Sequence, residues 1–575
     1  MSVNAQPKHK KMKKYALLAL VVLFATTKGA AQRKRKRQKE QIQKEVMSTP
    51  AEMGFEKHPK LIVGLIVDQM RYDYLTRFWN RYGEGGFKRL VRQGFNAKNH
   101  HFNYAPTSTG PGHASVYTGA SPSSHGVIGN NWYSKVLGRW VYCAGDSNYQ
   151  TVGSTSNAGK MSPHRMQTTT MTDQLRLHTQ QRGKVIAVAI KDRGAVLPGG
   201  HSANAAYWFE GGASGNWISS SYYMEELPTW VKAWNDSDAV EQYKKDWTTL
   251  EPVETYTESG TDVNAYEGFF KGEKDSGFPH KLSKYWEFNG QFSMLRATPY
   301  GNSLTMDFAL EALKQEELGQ DKDTDFLAVS FSSTDYAGHF FGVNSKEVQD
   351  VYMRLDKEIE RLLNTLDAQV GEGEYTLFLT ADHGAIHVPT YLKDQKLPGD
   401  YWDKSAMREK LTSFLEEQYG TDKVVSEVGY SDVFLNRPVL DSLDLELDDV
   451  QEEIAEHFLS YEQVYKVYTG TQLWEQDYSR GLARTVQNGW HQKRSGDVIF
   501  LFNPGVIDYP RTGSTHGSAM IYDTHVPLLF YGAGIRSGST AERTEIPDIA
   551  PTISVLIGMA FPSGTTGQPI SAVLK

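Results

Sequence analysis

The sequence predicts an α/β fold with a central, mostly parallel sheet, and three observations carry that expectation. Short, wholly apolar runs end abruptly in residues that bear chemistry: LIVGLIV (61–67) runs into Asp68, FLAVSFS (326–332) into the segment Ser333-Thr334-Asp335-Tyr336-Ala337-Gly338-His339, and YTLFLT (375–380) into Ala381-Asp382-His383-Gly384. Such runs read as buried strands. Between the last two, residues 346–370 place Val348, Val351, Leu355, Ile359, Leu362, Leu363 and Leu366 on one helical stripe that passes through Gly371-Glu372-Gly373 into the next strand, a helix-turn-strand succession. In an open sheet of this kind ligands bind beyond the carboxyl ends of the strands, so the polar residues at the end of each run are expected to converge on one crevice.

The elements are taken in order from the N-terminus. Lys8 to Lys14 are mostly basic, an apolar run covers 15–25, and Gly29-Ala30-Ala31 precedes Gln32; this pattern predicts a secretory signal peptide over 1–31, with an uncleaved anchor as the alternative. Removing 1–31 takes the formal charge from −7 to about −13, which argues against a nucleic-acid partner. The basic stretch Arg33 to Arg37 reads as part of a solvated, disordered linker over 32–58. The polar linker gives way to the first strand near Pro59, and a single catalytic domain is expected over 59–575. A helix is predicted over 86–93, another ending near Gly119, and a strand over 185–190 with Lys191-Asp192-Arg193 at its end. Strands are predicted over 498–502 and 526–531, and a closing helix over 548–558 with Pro551 in its first turn. Two stretches, about 204–300 (rich in Trp, Tyr, Gly and Ser) and about 392–494 (more charged), read as insertions that roof the site. The single Cys143 excludes an intramolecular disulfide and any thiolate-rich metal cluster.

Asp335 and His339 stand at i and i+4, on one face of a helical turn, and Asp382 and His383 are adjacent. With Asp68, and with His516 in Thr-Gly-Ser-Thr-His-Gly, they supply enough carboxylate and imidazole ligands for two Zn²⁺. Thr109, in Thr107-Ser108-Thr109-Gly110-Pro111-Gly112-His113, precedes a helix. A hydroxyl there faces unpaired N–H groups that favour an alkoxide and an incoming anion, although an N-capping role fits the same position.

The motifs Val67-Asp68-Gln69-Met70-Arg71, Pro106-Thr107-x-Thr109-x-x-Gly112-His113, His125-Gly-Val-Ile-Gly-Asn130, Lys191-Asp192-Arg193, Ser333-Thr334-Asp335-Tyr336-x-Gly338-His339, Ala381-Asp382-His383-Gly384 and Thr515-His516-Gly517 together resemble the alkaline phosphatase superfamily. Within it they resemble most the PafA-type bacterial enzymes with a threonine nucleophile, from Pro59 to the C-terminus. The resemblance implies a three-layer sandwich in which Asp335, His339 and His516 hold one zinc. It assigns Asp68, Asp382 and His383 to the other, with Thr109 bound to that second ion. It further implies that Asn130, Lys191 and Arg193 hold the nonbridging phosphoryl oxygens. The expected activity is hydrolysis of small-molecule phosphate monoesters through a phosphothreonine, by an exported or periplasmic, monomeric enzyme without stable membrane insertion. A local departure from the family pattern is the Gly110-Pro111 pair beside the nucleophile.

A phosphodiesterase or nucleotide pyrophosphatase of the same superfamily shares the metals and the threonine, and Lys191 with Arg193 is the feature that separates the two readings. A sulfatase is disfavoured because formylglycine is made from Cys or Ser and because His113 stands where that motif needs Arg. A serine hydrolase lacks its Gly-x-Ser-x-Gly. A catalytically inactive, exported metal-binding protein would not need so complete a set of nucleophile and ligands.

Overall fold

The computed structural model describes residues 58–575. The segments read as signal peptide and linker lie outside the described residues, apart from residue 58. Ten strands form the main sheet, in the order 538–545, 95–101, 528–532, 375–380, 61–67, 325–331, 185–189, 205–211, 216–220, 151–152. Its centre, from Tyr375–Thr380 to Ala205–Gly211, is parallel throughout. Antiparallel pairing begins only at Leu528–Gly532 on one side and at Asn216–Ser220 on the other. Every residue of Leu61–Val67, Asp325–Phe331 and Tyr375–Thr380 is buried, which is why those runs are continuously apolar instead of alternating.

Helices pack in two groups. Thr109–Thr118, Met171–His178, Asp192–Gly199 and Ile549–Ile557 form one, while Phe87–Gln93, Pro299–Gln315, Ser333–Phe341 and Lys346–Leu366 form the other, giving the layers on either side of the sheet. Lys346–Leu366 buries the stripe Val348, Val351, Leu355, Ile359, Leu362, Leu363 and Leu366, as its spacing predicts. Register then does the positioning: Val67 pairs with Phe331, Ile66 with Thr380, and Ala189 with Ser330. The residues just beyond these strands, Asp68, Lys191, Asp335 and Asp382, therefore leave the sheet at the same carboxyl edge.

Two expectations about the insertions need correction. The first does not begin at 204, because Ala205–Gly211 and Asn216–Ser220 continue the main sheet, and its irregular remainder packs along Lys346–Leu366. There Trp247 Nε1 donates to Asp350 Oδ2 at 2.7 Å and Tyr256 OH to Asp350 Oδ1 at 2.5 Å. It supplies none of the residues lining the cavity beside Thr109. The second insertion does not end at 494. Val498–Phe502, a strand as its sequence predicts, pairs antiparallel with Asp432–Leu435 and Val464–Thr469 in a separate four-stranded sheet. That sheet has its own core of Met407, Leu411, Val433, Ile454, Phe458 and Phe500. An apolar run of five residues cannot report which sheet it joins, since burial against either core asks for the same side chains.

Candidate active site

Thr109 opens a ten-residue helix, Thr109–Thr118, all of whose residues are buried. Ser108, extended at φ −153°, is its N-cap, so the capping alternative for Thr109 falls away. Pro111 lies in the first turn, where its missing N–H has no intrahelical partner to lose, and Gly119 ends the helix in the left-handed conformation at φ 64°. The helix sits unusually close to the strand end that carries Asp382, and Gly112 permits this: a Cβ there would lie 2.3 Å from the Asp382 carbonyl oxygen. Gly112→Ala is accordingly expected to push Thr109 and Asp382 apart and to cost about 1–3 kcal/mol of stability. Urea unfolding checks the second effect, and activity at full folding checks the first.

Around the Thr109 hydroxyl stand two cations and two groups of ligands. Lys191 Nζ is 3.4 Å and Arg193 Nη2 3.5 Å from Thr109 Oγ1. Asp335, His339 and His516 gather ligand atoms within 4.8 Å of one another, and Asp68, Asp382 and His383 do the same. The i,i+4 pair lies on Ser333–Phe341, with His339 Nε2 3.2 Å from Asp335 Oδ1. His383 Nε2 is 3.5 Å from both Asp68 Oδ1 and Asp382 Oδ2, and the His383 and His516 rings stack at 3.4 Å between centroids, which brings the two groups together.

The donor chemistry of both groups fits metal cations. Each imidazole commits Nδ1–H to a main-chain carbonyl: His339 to Ser514 at 2.8 Å, His516 to Thr107 at 2.8 Å, and His383 to Gly384 at 3.0 Å. That choice of tautomer directs every Nε2 at the acids, as a ligating histidine requires; against burial, Asp335 raises His339 above its ordinary value, so a cation bound there displaces a proton from that Nε2. In the second group Asp68 Oδ1, Asp382 Oδ2 and His383 Nε2 are buried without a hydrogen-bond partner. Three buried acceptors facing one another are costly unless a cation joins them.

Electrostatics point the same way. Burial, reinforced by Asp335 and Asp382, pushes the Asp68 carboxyl well above the usual range, and burial lifts Asp382 to about 6. Burial also opposes ionisation of Asp335, but His339 and Lys191 outweigh it and hold that carboxyl well below its ordinary value. Burial drives His383 down to about 3 and His516 well below its ordinary value, so both rings are neutral and able to ligate.

The three residues expected to meet phosphate all reach this centre, one of them in an unforeseen way. Asn130 Oδ1 accepts the Gly110 N–H at 2.7 Å, which leaves its Nδ2 donor for the adjoining cavity. Arg193 Nη1 donates to Tyr142 OH at 3.1 Å, and its Nε–H is buried without a partner. Lys191, in addition to its approach to Thr109, bridges the groups: Nζ donates to Asp68 Oδ2 at 2.6 Å and to Asp335 Oδ2 at 2.5 Å. Two buried carboxylates draw the ammonium, and although burial disfavours its charge, Asp335 and Asp68 keep it above the ordinary lysine value.

Sequence reasoning overlooked several supporting residues. Gln69, at φ 66°, donates from its backbone N to Asp382 Oδ1 at 3.1 Å and from Nε2 to Asp335 Oδ1 at 2.6 Å, tying one group to the other. Its signal was its place directly after Asp68, together with Gly338 between Asp335 and His339; a Cβ at Gly338 would stand 1.8 Å from Gln69 Oε1. His113 donates Nδ1–H to Thr109 O and accepts the Ser330 hydroxyl at Nε2, each at 2.8 Å, and steadies the first turn of the helix. Tyr142, which takes the Arg193 guanidinium and donates to Asp192, and Tyr509, stacked on His339 at 5.5 Å, gave no signal because their partners are distant in sequence.

A hydroxyl at a helix start, two cations and two ligand triads at the carboxyl edge of a parallel sheet define a metal-dependent esterase of phosphorus. Residues 62–519 match the type I phosphodiesterase/nucleotide pyrophosphatase family, and the chain belongs to it. Within that family it is of the PafA type. It is 41% identical over 520 residues to alkaline phosphatase PafA of Elizabethkingia meningoseptica, covering 90% of this chain and 94% of that one. It is 43% identical over 522 residues, 90% of this chain and 95% of the other, to a Myroides odoratus protein that carries the name calcium-transporting ATPase. The crystal structure of wild-type PafA superposes with a TM-score of 0.87 at 41% identity, covering 90% of this chain and 99% of that one. A PafA variant changed at one threonine, one asparagine, one lysine and one arginine superposes at 0.86 with 40% identity, over the same shares. Among the described residues no helix is long and apolar enough to cross a membrane.

Proposed function

We propose that this chain is a zinc-dependent alkaline phosphatase that hydrolyses phosphate monoesters through a phosphothreonine on Thr109. The observation that carries the reading is the Thr109 hydroxyl, set between the Lys191 and Arg193 cations and beside two complete ligand groups. The residue types altered in the PafA variant, threonine, asparagine, lysine and arginine in chain order, match Thr109, Asn130, Lys191 and Arg193 and support their assignment to the site.

Asp335, His339 and His516 would hold one Zn²⁺ and Asp68, Asp382 and His383 the other, supplying between them a lowered pKa for the Thr109 hydroxyl and charge neutralisation on the departing oxygen. The chain's own groups do the rest. Thr109 Oγ attacks phosphorus in line, forming the Oγ–P bond as the ester P–O bond breaks. Lys191, 3.4 Å from Thr109 Oγ1, offers positive charge to the attacking oxygen and to the phosphoryl group it acquires. Arg193, through Nε and its fork, and Asn130, through Nδ2, hold the nonbridging oxygens where charge accumulates in the transition state. Water then displaces Thr109 from phosphorus and releases phosphate, so two inversions give net retention. A monoester brings one more charged oxygen than a diester, and the Lys191–Arg193 pair favours it for that reason. Export as a monomer through cleavage near Ala31 belongs to the same proposal, and N-terminal sequencing of the mature protein tests the cleavage.

Metal analysis of active protein is expected to find close to two zinc ions per chain. Exhaustive chelation should lower hydrolysis of a chromogenic phosphate monoester by about a hundredfold or more, with recovery on adding zinc. A stoichiometry near one, or full activity after chelation, would overturn the two-metal reading.

A further inference from the structure

A cavity of about 430 Å³ begins beside Ser108, Asn130, His339 and His516 and runs under the second insertion. With phosphorus at Thr109, the ester substituent of a substrate has this space to occupy. Its wall is aromatic, built by Trp132, Trp140, Tyr430 and Trp490, and among the described residues no lysine or arginine lines it, while Asp432 is the one carboxylate that does.

The polar ends of these side chains are engaged so that ring faces and a carboxylate remain. Trp490 Nε1 donates to Gly496 O at 3.1 Å and Trp140 Nε1 to Glu427 Oε2 at 3.2 Å, so neither indole N–H is free to bind an anion. Arg494 stands 5.4 Å over the Trp132 ring, so this indole already takes a cation on one face. Asp432 Oδ2 accepts the Gly496 N–H at 3.2 Å. The nearby ammonium of Lys135 makes its hydrogen bond to Asp497, at 2.9 Å, and its charge offsets only part of the burial that raises Asp432. Burial lifts the Asp432 carboxyl to about 6, which leaves it ionised under alkaline conditions.

We propose that this cavity is the subsite for the alcohol part of the substrate and that it selects a positively charged substituent, of the primary- or quaternary-ammonium alcohol class, over neutral and anionic ones. The inference rests on the monoesterase reading. Aromatic faces attract an organic cation most strongly where water is excluded, and a carboxylate at the same recess adds to that attraction. A second anion would meet the same carboxylate in a wall that no lysine or arginine lines among the described residues.

The test compares kcat/KM of the metal-loaded protein for phosphocholine, its neutral isostere 3,3-dimethylbutyl phosphate, the anionic 2-carboxyethyl phosphate, and phenyl phosphate as reference. The cation-to-neutral ratio is expected to exceed one and to fall by about fivefold or more in Asp432→Asn and, through loss of a ring face, in Trp490→Leu. The intrinsic reactivities of the two esters cancel in that comparison of ratios, and a variant that merely loses folded protein lowers all substrates together. The anionic ester should be the slowest of the aliphatic three. A ratio at or below one in the wild type, or a ratio unmoved by both substitutions, overturns the subsite while phenyl phosphate hydrolysis leaves the monoesterase reading standing. Failure to hydrolyse any of the four esters overturns that reading and the subsite with it.

Discussion

Thr109→Val is expected to lower kcat/KM for a phosphate monoester by about four orders of magnitude or more, because it removes the nucleophile and leaves the rest of the site in place. Valine keeps the branched shape that Thr109 presents within a fully buried helix, so stability should change little by comparison. Thr109→Ser should retain measurable activity, since a hydroxyl returns at the same helix start. Acid quenching of the wild type during turnover, then peptide mapping, is expected to find phosphate on Thr109. Label on Thr107 or Ser108 would place the nucleophile one or two residues away and remove the basis for the Thr109 assignment. Ser108 is the informative rival, because its buried Oγ has no hydrogen-bond partner.

Joint replacement of Lys191 and Arg193 by alanine should slow monoester hydrolysis by several orders of magnitude and diester hydrolysis much less. Charge-assisted hydrogen bonds in a water-poor site contribute about 2–4 kcal/mol each to transition-state binding, with strong non-additivity between neighbours. Arg193 gives the cleaner single variant: its Nε–H is unspent, and besides Thr109 its guanidinium hydrogen-bonds Tyr142, with no contact to either ligand group. Lys191 also lies between Asp68 and Asp335, so its removal leaves two buried carboxylates closer to one another's charge, and metal content must be measured alongside rate. The comparison needs a monoester and a diester with the same leaving group. Equal losses on both, or a wild type that prefers the diester, would favour the phosphodiesterase reading.

Much of this site was legible because the chemistry-bearing residues sit at ends of strands, where local pattern is strongest. LIVGLIV, Asp325–Phe331 and Tyr375–Thr380 are buried on both faces, so they announce themselves as apolar runs, and the residues at their carboxyl ends must leave the sheet at one edge. Phe95–His101 and Gly538–Glu545 escaped notice for the complementary reason: they lie at the margin of the sheet and carry the polar sequences FNAKNHH and GSTAERTE. The double role of Lys191 was equally hidden, since nothing near it in sequence shows that Asp68 and Asp335 stand on either side of its ammonium.

The α/β class, the central strands, the helix that starts at Thr109, and the residue types from which two ligand groups can be built were therefore determined by the sequence alone. Those features depend on interactions within a few residues: strand burial, i,i+4 spacing and turn chemistry. Only the tertiary structure decided that Gln69 ties Asp382 to Asp335, that Val498–Phe502 belongs to a second sheet, and that Tyr430 and Trp490 of the second insertion join Trp132 and Trp140 in one aromatic wall beside the site. Each of those outcomes is a contact between segments tens to hundreds of residues apart, set by sheet register and helix packing, and a local pattern carries no record of either.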